Sequence, residues 1–253
     1  MINYEDFCLD TPPIKEVSMA LFINSDSYNT EFINKFKEKI KVDYPEESSS
    51  MDFIVDINKN NQFAITDSNS SGYILENKKA AEYWNIDLQK IFFSDKGEYT
   101  NFKDYLIKFN KYFSIIRNEF NDNFSYSRIA LKYSNEFEFE IEKLQEHFAI
   151  LPLFQQDYKD ITYAANTSCV VINNIVSNQN KNLSANVIAI FRVFEQIPTK
   201  FRINFDIDVR YILDAQKSFN ENSFEKQIKE IRNFKNMIFF ANVKKAKEDF
   251  KRC

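Results

Sequence analysis

The stretch Ile203-Asn-Phe-Asp-Ile-Asp-Val-Arg210 decides how this chain folds. Its residues alternate with a period of two, the period of a strand. Ile203, Phe205, Ile207 and Val209 share one face, and Asn204, Asp206, Asp208 and Arg210 share the other. A strand that is apolar on one side and charged on the other is half buried. Such strands belong to antiparallel sheets covered on one face. Ile14-Lys-Glu-Val-Ser-Met-Ala-Leu-Phe-Ile23 repeats the pattern, with Val17, Met19, Leu21 and Ile23 on one side.

Outward from this stretch, strands are expected over 161–176, 185–195 and 201–213, with turns over 177–182 and 196–200. The middle one holds Asn186-Val-Ile-Ala-Ile-Phe-Arg-Val-Phe194, apolar on both faces, which predicts a central, covered strand. Upstream, short strands over 52–57, 62–66 and 72–76 read as a meander, with Asn58–Asn61 and Asp67–Ser71 as turns and Glu46–Ser50 as a loop. Another strand is expected over 89–94, and one over 126–134. Helices are expected over 31–41, capped by Asn29 or Thr30, and over 223–233, capped by Asn222. The clearest lies over 102–120, where Phe102, Tyr105, Leu106, Phe109, Tyr112, Phe113, Ile116 and Phe120 form an apolar stripe, capped by Thr100 or Asn101. Residues 236–250 read as Met237-Ile-Phe-Phe240 followed by a basic terminal helix.

Strands cluster in runs instead of alternating with helices, so the expected class is α+β. The architecture is largely antiparallel sheet in two similar-sized lobes, 1–150 and 151–253, divided near Leu151-Pro-Leu153. Helices pack on one face, and the lobes form one compact unit.

The 253 residues carry a net charge of −4, so no global positive field draws the chain to nucleic acid or anionic lipid. Twenty-seven Phe, 13 Tyr and one Trp, with many Asn, Ile and Lys, suggest an AT-rich bacterial or phage genome; codon supply accounts for the phenylalanines. Cys8, Cys169 and Cys253 are far apart and fit reduced thiols. The first residues lack a basic region before an apolar run, and no apolar run reaches about 20 residues. The expectation is a cytoplasmic protein without membrane contact.

Gly72 and Gly97 are the only glycines, which excludes phosphate-cradling loops and glycine-flanked nucleophile turns. His147 is the only histidine, which rules out zinc sites built on paired histidines and leaves it as one candidate general base. Asp206 and Asp208 lie about 7 Å apart on one strand face, within reach of a shared divalent cation. They are the candidate catalytic or metal-ligating pair, against ion pairing with Arg210, Arg128 or Lys132. No cofactor is expected. Glu136, Glu138, Glu140 and Glu142 line one face of an alternating segment opposite Phe137, Phe139 and Ile141. Four like charges there suit either a protective edge or a docking surface for a basic partner. Lys35, Lys37, Lys39 and Lys41, with Lys244, Lys245 and Lys247, are the candidate nucleic-acid contacts.

Several landmarks occur in a telling order: Pro12-Pro-Ile-Lys-Glu16, Tyr44-Pro45, Tyr99, Ser127-Arg-Ile-Ala-Leu-Lys-Tyr-Ser-Asn135, Asp206-Ile-Asp-Val209 and Asn236-Met-Ile-Phe-Phe240. Their order and spacing resemble a sporadically distributed bacterial family that has no assigned activity. That family usually shows Arg-Tyr where this chain has Lys132-Tyr133. The resemblance implies an accessory gene product and carries no catalytic residue over. The expected function is a non-enzymatic protein-interaction or regulatory subunit, as in antiphage defence or a toxin–antitoxin pair, bound to a protein encoded nearby. The second reading is a nucleic-acid-binding or Mg-dependent nuclease component. Nothing in the pattern sets an oligomeric state.

Overall fold

The computed structural model describes residues 7–9, 13–24, 29–57, 63–120, 124–140, 169–178, 181–194, 197–243 and 250–252. The alternating segments become strands: β1 (Phe7–Leu9), β2 (Ile14–Asn24), β3 (Glu46–Ile57), β4 (Phe63–Asn77), β5 (Glu82–Asp87), β6 (Lys90–Asp95), β7 (Ser125–Glu140), β8 (Cys169–Asn178), β9 (Leu183–Phe194), β10 (Ile197–Ser218) and β11 (Phe250–Arg252). The stripes become helices α1 (Thr30–Ile40), α2 (Phe102–Phe120) and α3 (Glu221–Asn242).

Nine strands join in the order β3-β4-β5-β6-β2-β7-β10-β9-β8, every pair antiparallel. β1 and β11 form a separate pair. The class is α+β, as expected. β7, from residues 1–150, pairs along its length with β10, from residues 151–253, so strands of both expected lobes share one sheet.

Register decides which side chains meet. One row crosses all nine strands: Glu47, Leu75, Trp84, Phe93, Met19, Leu131, Val209, Ala185 and Val176. From Leu75 to Ala185 every member is buried, and the helices pack on this face. Trp84 stacks on Phe93 and Phe109, at centroid distances of 4.7 and 5.7 Å, and meets Phe36 and Tyr112 edge-on. Beyond β2, α3 covers β7 and β10 through Phe239, whose ring lies 6.2 Å from Phe137 and 6.3 Å from Phe205. Each helix starts on an asparagine whose side chain accepts a backbone N–H three residues on: Asn29 from Phe32, Asn101 from Asp104 and Asn220 from Ser223.

Several expectations are corrected. Residues 46–50 belong to β3, and Asp67–Ser71 lie inside β4, paired with β3 through two register shifts. Ladder hydrogen bonds to the neighbouring strand override the turn preference of these Ser, Asn and Asp residues. β5 was not foreseen. It is joined to β6 by a turn in which Asp87 Oδ1 accepts the N–H of Gln89 and of Lys90, at 2.8 and 2.9 Å. β9 lies one strand in from the β8 edge, not at the centre. α3 starts at Glu221 on Asn220, not Asn222, and runs through Met237–Phe240, because Ile231, Phe234 and Ile238 continue its buried stripe. Residues 244–249, expected to be a basic helix, lie outside the described residues.

At Gly72 the strands approach closely. A Cβ there would overlap the Ile86 carbonyl oxygen and sit 2.8 Å from Asp87 Cα, both backbone atoms of β5. Gly72→Ala should therefore lower Tm by several degrees, reflecting about 1–3 kcal/mol of overpacking. An unchanged Tm would show that β4 and β5 separate without cost.

Lys235 is a second point of tension. It is buried on α3, its Nζ 4.0 Å from the Tyr133 ring centre and 5.9 Å from that of Phe239; no carboxylate pairs with it among the described residues. Burial, with Arg232 nearby, pushes its pKa from 10.5 down to about 7. Between those values the unfolded chain binds a proton that the folded chain does not, so this residue makes stability rise as pH climbs from about 7 towards 10. The full effect is on the order of 5 kcal/mol. Lys235→Met should raise stability at pH 7 and flatten this rise; parallel pH profiles for the two proteins would show that Lys235 is not held neutral.

Candidate functional site

The face opposite the helices carries the outward half of each alternating strand. Two rows form its centre. The first is Tyr83, Ser94, Ser18, Lys132 and Asp208, and the second is Asn85, Phe92, Ala20, Ala130 and Arg210. A shorter third row holds Lys90, Phe22 and Arg128. The middle positions are small (Ser18, Ser94, Ala20, Ala130), while the flanking ones are long or aromatic. The result is a hollow of about 500 Å³ with a floor of small side chains. Its depth follows directly from which residues occupy the outward positions of β2 and β7.

The walls are chemically uneven. Four cations line the hollow (Lys90, Arg128, Lys132 and Arg210) against two anions, Glu16 and Asp208. Lys132 Nζ pairs with Asp206 at 2.9 Å. Arg210 folds back on Asp208, at 3.1 Å from Nε and 2.7 Å from Nη2. Arg128 makes no ion pair among the described residues; its guanidinium lies 3.6 Å from the Phe22 ring centre. Burial and the neighbouring Arg210 push the Arg128 pKa down, partly opposed by Asp208. At the other wall Glu16 Oε1 accepts from Ser94 Oγ at 2.5 Å and from Tyr83 at 3.5 Å. Burial, then the Glu16 charge, raises the Tyr83 pKa. Ser18, 2% exposed, has a hydroxyl with no hydrogen-bond partner among the described residues.

The residues singled out from sequence scatter around this hollow. Asp206 and Asp208 are on its β10 side, each engaged by a cation as the ion-pair expectation has it. Among the described residues no group of three or more His, Cys, Asp or Glu side chains is arranged to hold a metal ion. Glu136 and Glu138 lie farther along β7 and share Arg202, at 3.8 and 2.8 Å; Asn204 donates to Glu136. Glu140 is in β7 opposite Lys200. On α1 and at its C-terminal cap Lys41, Lys35 meets Glu31 and Glu119, Lys39 meets Glu119, and Lys37 and Lys41 meet Glu47, so each faces a carboxylate. Glu142, His147, Lys244, Lys245 and Lys247 lie outside the described residues.

Sequence reasoning missed Phe22, Phe92, Tyr83 and Ser18 as members of a site. A signal was available in β2, whose alternation already sent Ser18, Ala20 and Phe22 to the outer face. What the pattern lacked was the neighbours that make a depression of that face. No helix among the described residues is long and apolar enough to cross a membrane. No protein-family model matches this chain, and no curated protein matches it.

Because Asp206 and Asp208 already have cationic partners, added Mn²⁺ should leave the Tm unchanged at millimolar concentration. A saturable rise that Asp208→Asn abolishes would show that a divalent ion displaces Lys132 and Arg210.

Proposed function

We propose that this protein is a non-enzymatic interaction or regulatory subunit whose recognition surface is the open face of the sheet. One observation carries the reading: among the described residues, helices bury one face of a continuous sheet, while the other displays an ordered pattern of charge around a hollow. A face that served only to stay solvated would need charges but no register between them. Here cations and anions face each other across β7 and β10, with a surplus of negative charge at Glu136 and Glu138 and of positive charge near Arg128. Such polarity orients a partner more than it tightens its binding. The partner is a protein encoded nearby, in a setting of antiphage defence or toxin neutralisation, which is the role the family resemblance implies.

A second reading, contact with nucleic acid, draws on the cations and aromatic rings at the Arg128 end of the same face.

Purifying the full chain together with the products of its adjacent genes tests the main reading. One of them should co-elute, and replacing both Glu136 and Glu138 by Lys should weaken that association by roughly tenfold or more. The pairs with Arg202 are screened by water and contribute little to stability, so Tm should barely move. If no neighbour-encoded protein is retained, or the variant retains it equally well, the reading fails.

A further inference from the structure

The hollow is more specific than the face around it. Its walls are unequal in charge: Arg128, Lys132, Arg210 and Asp208 on the β7 and β10 side leave a positive surplus, whereas Glu16 on β2 and Lys90 on β6 balance each other beside Tyr83. A site built for any polyanion would need no carboxylate such as Glu16 at the side away from the cationic surplus. The division instead suits a ligand that is anionic at one end and offers hydrogen-bond donors at the other.

The middle row gives the length. Phe92 and Arg210 bound the part of it that lines the hollow, with Ala20 and Ala130 between them. Three inter-strand spacings place their backbones about 14 Å apart, over a floor that is flat because both intervening side chains are methyl groups. The Phe92 ring lies 5.6 Å from the Tyr83 ring, so one end of the trough is aromatic. The other end is cationic, and its arginine at 128 has no carboxylate partner among the described residues. At the floor the Ser18 hydroxyl, 2% exposed, lacks a partner among the described residues, and a buried polar group costs stability unless something bonds to it. The volume of about 500 Å³ falls within the range of small-ligand sites.

We infer that the hollow binds a nucleotide: the phosphate at Arg128, Arg210 and Lys132, the base against Phe92 and Tyr83, and a sugar hydroxyl or base amino group donating to Glu16. The chemistry is the same whether the nucleotide is free or part of a single strand. The inference rests on the open face being the recognition surface, but it uses the end away from Glu136 and Glu138. Loss of nucleotide binding therefore leaves capture of a protein partner intact, and the two readings fail separately.

Calorimetric titration of the full chain at low salt supplies the test, with AMP, GMP, inorganic phosphate, a short single-stranded RNA and an acidic peptide as probes. Saturable binding of a monophosphate, at least about tenfold tighter than inorganic phosphate, is expected. Arg128→Gln should weaken it by roughly tenfold or more, and Ala20→Leu, which fills the floor without changing charge, should abolish it. Circular dichroism checks that each variant is folded; if Ala20→Leu is not, Arg128→Gln decides. Binding of the RNA but of neither free nucleotide, lost in the same variants, also supports the site and assigns the source to a strand. Binding of neither nucleotide nor RNA, binding indifferent to Arg128→Gln, or equal affinity for the acidic peptide would overturn the inference.

Discussion

Register between neighbouring strands is the constraint on which everything else here depends. The row from Leu75 through Trp84, Phe93, Met19, Leu131 and Val209 to Ala185 exists only because each strand pairs with the next at one offset. A slip by a single residue would turn every side chain of a strand to the opposite face. Lys132 and Asp208 would then enter the aromatic layer, and Leu131 and Val209 would meet water. Burial of the covered face thus fixes the open face as well, without any interaction on the open face having to be strong. The surface ion pairs Lys132–Asp206 and Arg202–Glu138 contribute little to stability, yet the register that buries the core also brings their residues together.

The covered layer concentrates aromatic rings. Trp84 has four ring neighbours, and Phe113 links α2 to Phe124, Phe219 and Phe224. Tilted and edge-on contacts dominate, as ring quadrupoles favour. Most of the phenylalanines whose side chains are described pack between sheet and helices. Lys235, lying over Tyr133 inside this layer, is the exception to its apolar character. In the Lys132-Tyr133 pair the lysine points to the open face and the tyrosine to the buried one, so two consecutive residues serve the two layers separately.

Much of this was legible in the chain itself. Period-two alternation at 14–23 and 203–210 identified the two strands that flank β7 and assigned the faces of each residue correctly. The stripe at 102–120 placed α2 to the residue. Failures came where local chemistry and long-range pairing disagree. Serine, asparagine and aspartate at 67–71 favour turns, but a paired neighbour held them extended. The candidate site was legible only in parts. Asp206, Asp208 and Arg210 could be named as facing one way, with Arg128 and Lys132 as ion-pair candidates, but the hollow needs β5 and β6 beside β2, and no local pattern states which strands are neighbours.

β2 sits at the middle of the sheet, between β6 and β7, although it is the first of the nine strands in the chain. During synthesis it is therefore made well before either of the strands that will cover its edges. Its buried positions Val17, Met19, Leu21 and Ile23 must wait for partners that emerge much later. Pairings that span so much sequence carry a large loop-closure cost and form slowly. The central strand is thus a segment whose edges stay open until much later parts of the chain have been made, and slow pairing of this kind leaves strand edges free to associate while a protein folds.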